Sequence, residues 1–486
     1  MPPMHISFDN SYARLPERFY ARVEPTPVAA PRLVRVNAAL ARTLGIDPDE
    51  LAGPEGVAVL AGNHVPRGAA PMALAYAGHQ FGHLVPQLGD GRACLLGEVV
   101  GRDGLHRDIQ LKGSGPTPFS RRGDGRAALG PVLREYLVSE AMAALGVPTT
   151  RTLAAVTTGE AVWRETRLPG AVLTRVAASH IRVGTFQYFA ARGDIEGVRL
   201  LADHAIARHY PAATGSYRAF LDAVVAAQAE LVARWLLIGF IHGVMNTDNC
   251  SIAGETIDYG PCAFMDAYDP ATVFSSIDQA GRYAYGNQGR IALWNLARLA
   301  ETLLPLLDGG EAAAKEALAA FPRHFQKAYF DGLRRKIGLS VERDGDDSLV
   351  QDLLKLMMEH GADFTQTFRR LGDAVAGPAG DAAVRSLFGD GGGFEAWAER
   401  WRSRLTREGD GPAAIRAIMR AMNPAFIPRN HLVEAALAAA VEREDFGPFE
   451  ELHAVLSRPF EDDPARDRYS LPAREEERVL QTFCGT

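Results

Sequence analysis

Cysteine is scarce in this chain: four in 486 residues, too few to staple a secreted domain with disulfides. No unbroken apolar run is long enough to span a bilayer. The Ala-rich stretch Glu434–Val441 is short and flanked by Arg429, His431 and Arg443. Met1–Phe8 lacks the basic start and apolar core of a secretory leader. A basic excess is missing too. Lys plus Arg is 52 against 59 for Asp plus Glu, a net charge of −7, without the footprint a general nucleic-acid binder carries. There is no repeat of fixed period. These absences predict a cytoplasmic enzyme with neither nucleic acid nor membrane as partner; a monomer is expected.

The composition, 47% hydrophobic and 23% charged, is that of an ordinary globular protein. Its length exceeds one hydrophobic core, so at least two lobes are expected. The densest chemistry lies in Ile241–Asp258, reading IHGVMNTDNCSIAGETID. An apolar run from Trp235 enters it and Asp258-Tyr259-Gly260 leaves it. An Asn and an Asp separated by a short hairpin-forming stretch suit Mg²⁺ or Mn²⁺, which take oxygen ligands and complete their shell with substrate phosphates. The His-x6-Asn spacing followed by Asp-aromatic-Gly also follows the layout of the protein-kinase catalytic and metal loops. The base Asp of that layout would fall at Val244, which cannot accept a proton.

Upstream, apolar residues near helical spacing predict a helix through Leu33–Ala41, ended by Gly45-Ile46-Asp47-Pro48. Residues 71–178 read as strand-rich. Gly89-Asp90-Gly91-Arg92 reads as a tight hairpin whose backbone can approach a ligand, or as a plain turn. In Asp108–Lys112, alternation sets Ile109 and Leu111 on one face and Gln110 and Lys112 on the other. From that strand alone, a solvated lysine is the simpler reading. Gly113–Gly125 is a loop carrying Arg121, Arg122 and Asp124, either closing over an anion or lying on the surface. Ala127–Leu145 reads as a helix ended by Gly146 and Pro148, and it carries Glu135. A strand lysine with a helix glutamate is the pair kinase-like folds use to orient the lysine on phosphates. Arg151–Arg164 reads as a hairpin around Thr158-Gly159, and Gly170–Val176 as a strand with Arg175 near its end. Arg175 and Arg182 suit either a bidentate phosphate clamp or rim ion pairs. Helices are predicted over Asp194–His209, Tyr217–Gly239 and Ile291–Leu307. The remainder is mostly helical, with loops at Gly372–Gly380 and Gly389–Gly393.

Several long stretches resemble one family: YARLPERFY (Tyr12–Tyr20), YAGHQFGHLVPQLGDGRA (Tyr76–Ala93), QLKGSGPTPFSRRGDGRAAL (Gln110–Leu129), HGVMNTDN (His242–Asn249), IDYGPCAFMDAYDP (Ile257–Pro270) and NPAFIPRNHLVE (Asn423–Glu434). They are similar to selenoprotein O, the kinase-like protein adenylyltransferases, in a cysteine-containing bacterial-type member. The resemblance implies an α+β, protein-kinase-like bilobal fold. Residues 1–70 would be an N-terminal extension packed on the core, and 71–178 the strand-rich lobe. Residues 179–310 would form the helical lobe with catalytic and metal loops, and 311–486 a helical extension with a redox tail. By the same resemblance Gly89, Gly91, Arg92, Lys112, Asp124, Gly125, Arg175, Arg182 and Asp258 would contact nucleotide, and Glu135 would hold Lys112. Asn249 and Asp258 would bind Mg²⁺ or Mn²⁺, with Asp248 as proton acceptor. The family binds ATP flipped relative to kinases, presenting the α-phosphate, which fits a base away from Val244. Many members carry selenocysteine third from the end, where this chain has Cys484. A disulfide between Cys262 and Cys484 is likewise an implication of the family. Glycine at 289 departs from the family pattern, which has proline there.

The expected reaction is transfer of AMP from ATP to Ser, Thr or Tyr hydroxyls of client proteins, with release of pyrophosphate. Alternatives are transfer of UMP from UTP, a γ-phosphoryl-transferring kinase, and a non-catalytic ATP-binding redox scaffold.

Overall fold

The structure, a computed structural model, describes residues 6–389 and 393–483. Its frame is an eight-stranded sheet, antiparallel at every pairing. The strands are β1 (Tyr20–Arg22), β2 (Arg32–Val36), β3 (Met72–Leu74), β6 (Ala93–Val100), β7 (His106–Lys112), β8 (Ala127–Ala128), β9 (Arg151–Trp163) and β10 (Arg167–Ala177). The order is β1-β3-β6-β7-β10-β9-β2, with β8 paired to β10. The first 36 residues thus supply both edges of the sheet. A separate hairpin, β4 (Gly78–Gln80) with β5 (His83–Val85), hangs from the β3–β6 connection.

Alternation along β7 divides the sheet's two faces. Ile109 and Leu111 join a core with Leu40, Leu51, Val59 and Leu60 from α1 (Ala38–Thr43), α2 (Pro48–Ala52) and α3 (Pro54–Ala61). Gln110 and Lys112 face the other way, toward α4 (Leu129–Ala144). The far side of α4 is covered in turn by α16 (Asn430–Arg443) and α17 (Gly447–Leu456), through Tyr136, Leu437, Phe449 and Leu452.

The helical body begins with α5 (Val183–Ala190), α6 (Ile195–His209) and α7 (Tyr217–Leu237), which share a core with α8 (Gln288–Leu303). The two-residue strands β11 (Phe240–Ile241) and β12 (Ala263–Phe264) pair just beyond α7 and bracket the Asp248 and Asp258 loops. Next come α9 (Gly310–Ala319), α10 (Phe321–Lys336), α11 (Asp346–His360), α12 (Phe364–Ala374), α13 (Asp381–Arg385), α14 (Phe394–Leu405) and α15 (Pro412–Met422). A second core, containing Leu333, Leu353, Phe368, Trp397 and Trp401, joins several of these. The whole is a mixed α+β protein. Among the described residues no helix is long and apolar enough to cross a membrane.

Several local expectations are corrected. The predicted helix from Leu33 is a strand through Val36, because this β-branched run pairs with β9. Helix begins only at Ala38, where Asn37 caps it by accepting from Leu40 N at 3.1 Å. Asp47-Pro48 starts α2 rather than ending α1. Thr158-Gly159 is not the tip of a hairpin: β9 runs on to Trp163, and the chain reverses where Arg164 N donates to Thr166 O. Gly372 lies inside α12, so the following loop starts later. Gly289 sits in the first turn of α8, where a β-carbon would lie 3.0 Å from the Phe325 ring.

Candidate active site

β7, α4 and β10, with Arg182 at the start of α5 and the Asp258 loop before β12, bring a lysine, two arginines and two carboxylates together. β7 ends on Lys112, and α4 crosses behind it with Glu135 turned inward. Lys112 Nζ donates to Glu135 Oε2 at 2.6 Å and to Asp258 Oδ1 at 2.9 Å. Register opposes Leu173 of β10 to Lys112 and Arg175 to Gln110. Arg175, buried, donates to Asp258 Oδ1 at 2.6 Å and to Glu135 Oε1 at 3.3 Å. Its Nη2 also bonds Gln110 Oε1 at 2.6 Å. The lysine is therefore a member of a buried network rather than a solvated side chain. Burial alone would raise the Asp258 carboxyl, but Lys112, Arg175 and Arg182 outweigh it and hold it well below the ordinary carboxylate range. Asp258 sits at φ +63°, in the left-handed region that Asp tolerates better than most residues.

Arg182 adds the third cation, 3.6 Å from Asp258 and 3.8 Å from Asp90. Its guanidinium lies 4.4 Å from the Tyr76 ring centroid. Asp90, fully buried, accepts from Leu74 N and from Gln110 Nε2, each at 3.1 Å. Burial pushes its carboxyl up, against the pull of Arg182.

Gly89, Asp90 and Gly91 do not form the expected tight hairpin. They are an irregular link: Gly89 N donates to Tyr76 O at 3.0 Å and Asp90 N to Leu74 O at 2.9 Å. The link packs against the Gly113–Gly125 loop. Thr117 Oγ1 donates to Asp90 O at 2.7 Å, and Ser120 Oγ donates to Gly91 O. At Gly89, φ +72°, a β-carbon would fall 2.3 Å from the Phe119 ring. Gly125, φ +65°, lies against the Gly115 carbonyl, 2.1 Å from where a β-carbon would be. Arg92 leads into β6 beside Lys112, its carbonyl accepting from Gly113 N at 2.7 Å. Asp124 is half-exposed and pairs with Arg164 at 2.9 Å. Among the described residues no hydrogen bond or ion pair joins it to the Lys112 cluster.

The second half of the site follows β11. His242 is buried, and its Nε2–H donates to Ile257 O at 2.9 Å, tying this loop to the residue before Asp258. Val244 is apolar and buried; its carbonyl accepts from Asn249 Nδ2 at 3.1 Å. That bond orients the amide of Asn249 and leaves its oxygen without a protein partner among the described residues. Asp248 lies in the single turn Thr247–Asn249. Burial pushes its carboxyl up to about 6, against hydrogen bonds that favour the ion. Among the described residues its Oδ1 has no hydrogen-bond partner, and its Oδ2 is 3.4 Å from Gln80 Nε2.

The β4–β5 hairpin covers this loop, a feature that the sequence reading missed. A β-carbon on Gly78 would lie 2.3 Å from Asp248 Oδ1, so only glycine allows the hairpin so close. His79 N donates to Thr247 Oγ1 at 2.6 Å, and Phe81 N donates to Asn246 Oδ1 at 3.0 Å. Thr247 in turn donates to Gln187 of α5 at 2.6 Å. Gln80, Gln110 and Asp90 were likewise missed. Their only signal was membership in the stretches Tyr76–Ala93 and Gln110–Leu129, which says nothing about individual contacts.

Cys262 is buried just after this loop; Cys484 lies outside the described residues. The arrangement presents three cations, an ionised carboxylate, an unpaired amide oxygen and a second carboxylate poised near neutrality. That set suits binding a polyphosphate and accepting a proton beside it.

Comparison with known proteins gives the same direction. A family described as "Protein adenylyltransferase SelO" matches residues 2–457. "Protein nucleotidyltransferase YdiU" of Methylorubrum extorquens (strain PA1) is 68% identical over 492 residues, covering 99% of each chain. The protein of that name from Bradyrhizobium sp. (strain ORS 278) is 66% identical over 490 residues, covering 99% of this chain and all of its own. That of Rhodopseudomonas palustris (strain BisB18) is 64% identical over the same span.

Proposed function

The chain belongs to the SelO family of protein adenylyltransferases and is a protein nucleotidyltransferase; from that premise we propose how its residues divide the work. The fold reading is kinase-like and two-lobed. Residues 71–178 form most of the strand-rich lobe and 179–310 the lobe with catalytic and metal loops; residues 1–70, expected as an extension packed on the core, also give that lobe's sheet its two edge strands, and 311–486 are a helical extension. The donor is ATP, and the acceptors are Ser, Thr or Tyr hydroxyls of client proteins.

The observation that carries the site assignment is the convergence of Lys112, Arg175 and Arg182 on Asp258. In the nucleotide complex these cations turn to the phosphates and stabilise charge developing on the α-phosphoryl oxygens. Glu135 keeps Lys112 aimed. Gly89, Gly91, Arg92, Asp124 and Gly125, on the two interlocked loops, bound the nucleotide. Asn249 and Asp258 offer hard oxygen donors, which fits Mg²⁺ or Mn²⁺. Such an ion, bound with ATP, supplies charge neutralisation on the phosphates.

Asp248 accepts the proton of the attacking hydroxyl. A carboxylate with a proton affinity near 6 is mostly ionised at neutral pH yet more basic than an exposed one, as a general base should be. The acceptor oxygen bonds to the α-phosphorus, the bond to the β-phosphoryl oxygen breaks, and pyrophosphate leaves. Val244 argues against a kinase-type reaction, because it cannot serve as base beside a γ-phosphate.

The test uses ATP labelled separately at the α and γ positions, with a cell extract as acceptor and Mg²⁺ or Mn²⁺ present. Label from the α position enters protein, and Asp248→Ala abolishes it. Protein labelled from the γ position instead, or full transfer by Asp248→Ala, overturns the reading. UTP labelled at the α position, run in parallel, ranks the two donors.

A further inference from the structure

A second cavity, about 750 Å³, opens between α7 and α10, away from Asp248 and Lys112. Its volume is in the range of small-molecule sites, roughly 300–1,000 Å³. One wall is a single face of α10, carrying His324, Lys327, Asp331 and Arg335 at helical spacing. α10 approaches α7 closely because Gly332 has no side chain: a β-carbon there would fall 2.2 Å from Leu237. Val147, Leu237, Ile238, Met422 and Phe460 give the cavity an apolar body.

At its edge stands Lys336, the last residue of α10 and only 2% exposed. Its ammonium nitrogen lies 4.5 Å from the Phe368 ring centroid and 5.4 Å from that of Phe364. Among the described residues no carboxylate, carbonyl or hydroxyl bonds it. Burial alone pushes this amine down to about 7. An unpaired buried lysine is costly, and buried charges in proteins are normally paired. The neighbouring acids do not supply the partner: Asp331 is held by Lys327 and Arg334, and Glu230 is exposed. Arg335, also lining the cavity, has no ion pair among the described residues. Lys336 and Arg335, and Arg234, which donates only to Gly146 O, thus line the cavity without a carboxylate partner among the described residues, in a chain whose net charge is negative.

We propose that this cavity is a binding site for a small organic anion, its carboxylate or phosphate headgroup paired with Lys336 and Arg335 and its apolar body between α7 and α10. Such a ligand supplies the counter-charge that the protein withholds. The Phe364 and Phe368 rings stand within cation–π range of the ammonium.

Calorimetric titration of the full chain tests this with hexanoate, hexyl phosphate and, as uncharged control, hexanol. ATP is present throughout, so that the probes do not simply fill phosphate subsites of the nucleotide site. One or both anions bind, and hexanol binds roughly tenfold or more weakly, the scale of a hydrogen bond to a charged group. The tighter of the two anions identifies the headgroup. Lys336→Met, which keeps the side chain's bulk, weakens binding by about tenfold to a hundredfold. Arg335→Ala, at an exposed position that does not threaten the fold, weakens it by a smaller factor. Hexanol binding as tightly as the acids, absence of binding by both acids, or unchanged binding in both variants would overturn the proposal.

Discussion

Lys112 Nζ donates to Asp258 Oδ1 at 2.9 Å across 146 positions of sequence, joining the end of β7 to the loop before β12. Arg175 donates to the same oxygen, and Arg182 stands by the other. A bare divalent cation approaching Asp258 meets a carboxylate already engaged by three cations, so it gains little net attraction unless it displaces them. On the proposed reading, a bound triphosphate would draw these cations to itself and free Asp258 for the metal. Mg²⁺ or Mn²⁺ titrated into the protein alone should therefore show no binding in the millimolar range, and tight binding once ATP is present. Equally tight metal binding with and without nucleotide would contradict the charge argument.

Asp248 should give the enzyme its acid limb. With its carboxyl raised to about 6 by burial, transfer should increase as pH rises through that value and level off above pH 7. The same shift has a stability consequence. A carboxyl raised above its unfolded value of 3.8 favours the folded state at low pH, and that advantage is lost between the two values. Asp248→Asn should raise stability at pH 8 by at most on the order of 3 kcal/mol, and by nothing near pH 4. Chemical denaturation at both pH values checks it. A larger gain at pH 4 than at pH 8 would mean that burial is not what moves this group.

Gly89→Ala joins two costs. The residue adopts φ +72°, and the added methyl would meet the Phe119 ring at 2.3 Å. Strain at positive φ together with overpacking costs about 2–4 kcal/mol. Because Phe119 belongs to the Gly113–Gly125 loop, the KM for ATP should rise while the melting temperature falls. Gly104→Ala is the control: its φ is +78° with nothing near the added carbon, so it should show the strain cost alone and no change in KM.

The sequence made the individual chemistries legible but not all of their partners. Alternation along Asp108–Lys112 correctly put Lys112 opposite Leu111, because a half-buried strand enforces a two-residue period. It did not say what lay on that face; Glu135 and Asp258 arrive from an α-helix and from a loop 146 residues away. The predicted helices Asp194–His209 and Tyr217–Gly239 match α6 and α7 to within two residues, with Asp194 and Ser216 each accepting from a backbone N–H of the first turn. The stretch Leu33–Val36 was misread because four residues cannot distinguish a strand from a helical turn until a pairing partner, here β9, is known. The β4–β5 hairpin escaped for a related reason: three-residue strands carry almost no period, and their role depends on Gly78 meeting Asp248 in space.

The C-terminal tail returns to the site. Thr482 Oγ1 donates to Pro261 O at 2.6 Å, its backbone N–H donates to Phe274 O at 2.7 Å, and Ser276 N donates back to Thr482 O at 3.0 Å. These bonds tie the tail to the segment that directly follows Asp258-Tyr259-Gly260, with Cys262 one residue beyond Pro261. A cross-link from Cys262 to Cys484, two residues past Thr482, would make that docking covalent, closing a loop of more than 200 residues and restricting the segment beside Asp258. Diamide-treated protein digested without reductant should yield a peptide joining Cys262 to Cys484, absent from Cys484→Ser. Transfer should differ between the oxidised and reduced wild type and be insensitive to diamide in that variant. Cys94 and Cys250, buried with thiols pushed up to about 12, should stay unmodified. A diamide response that persists in Cys484→Ser would assign redox sensitivity to another thiol and remove the tail from the switch.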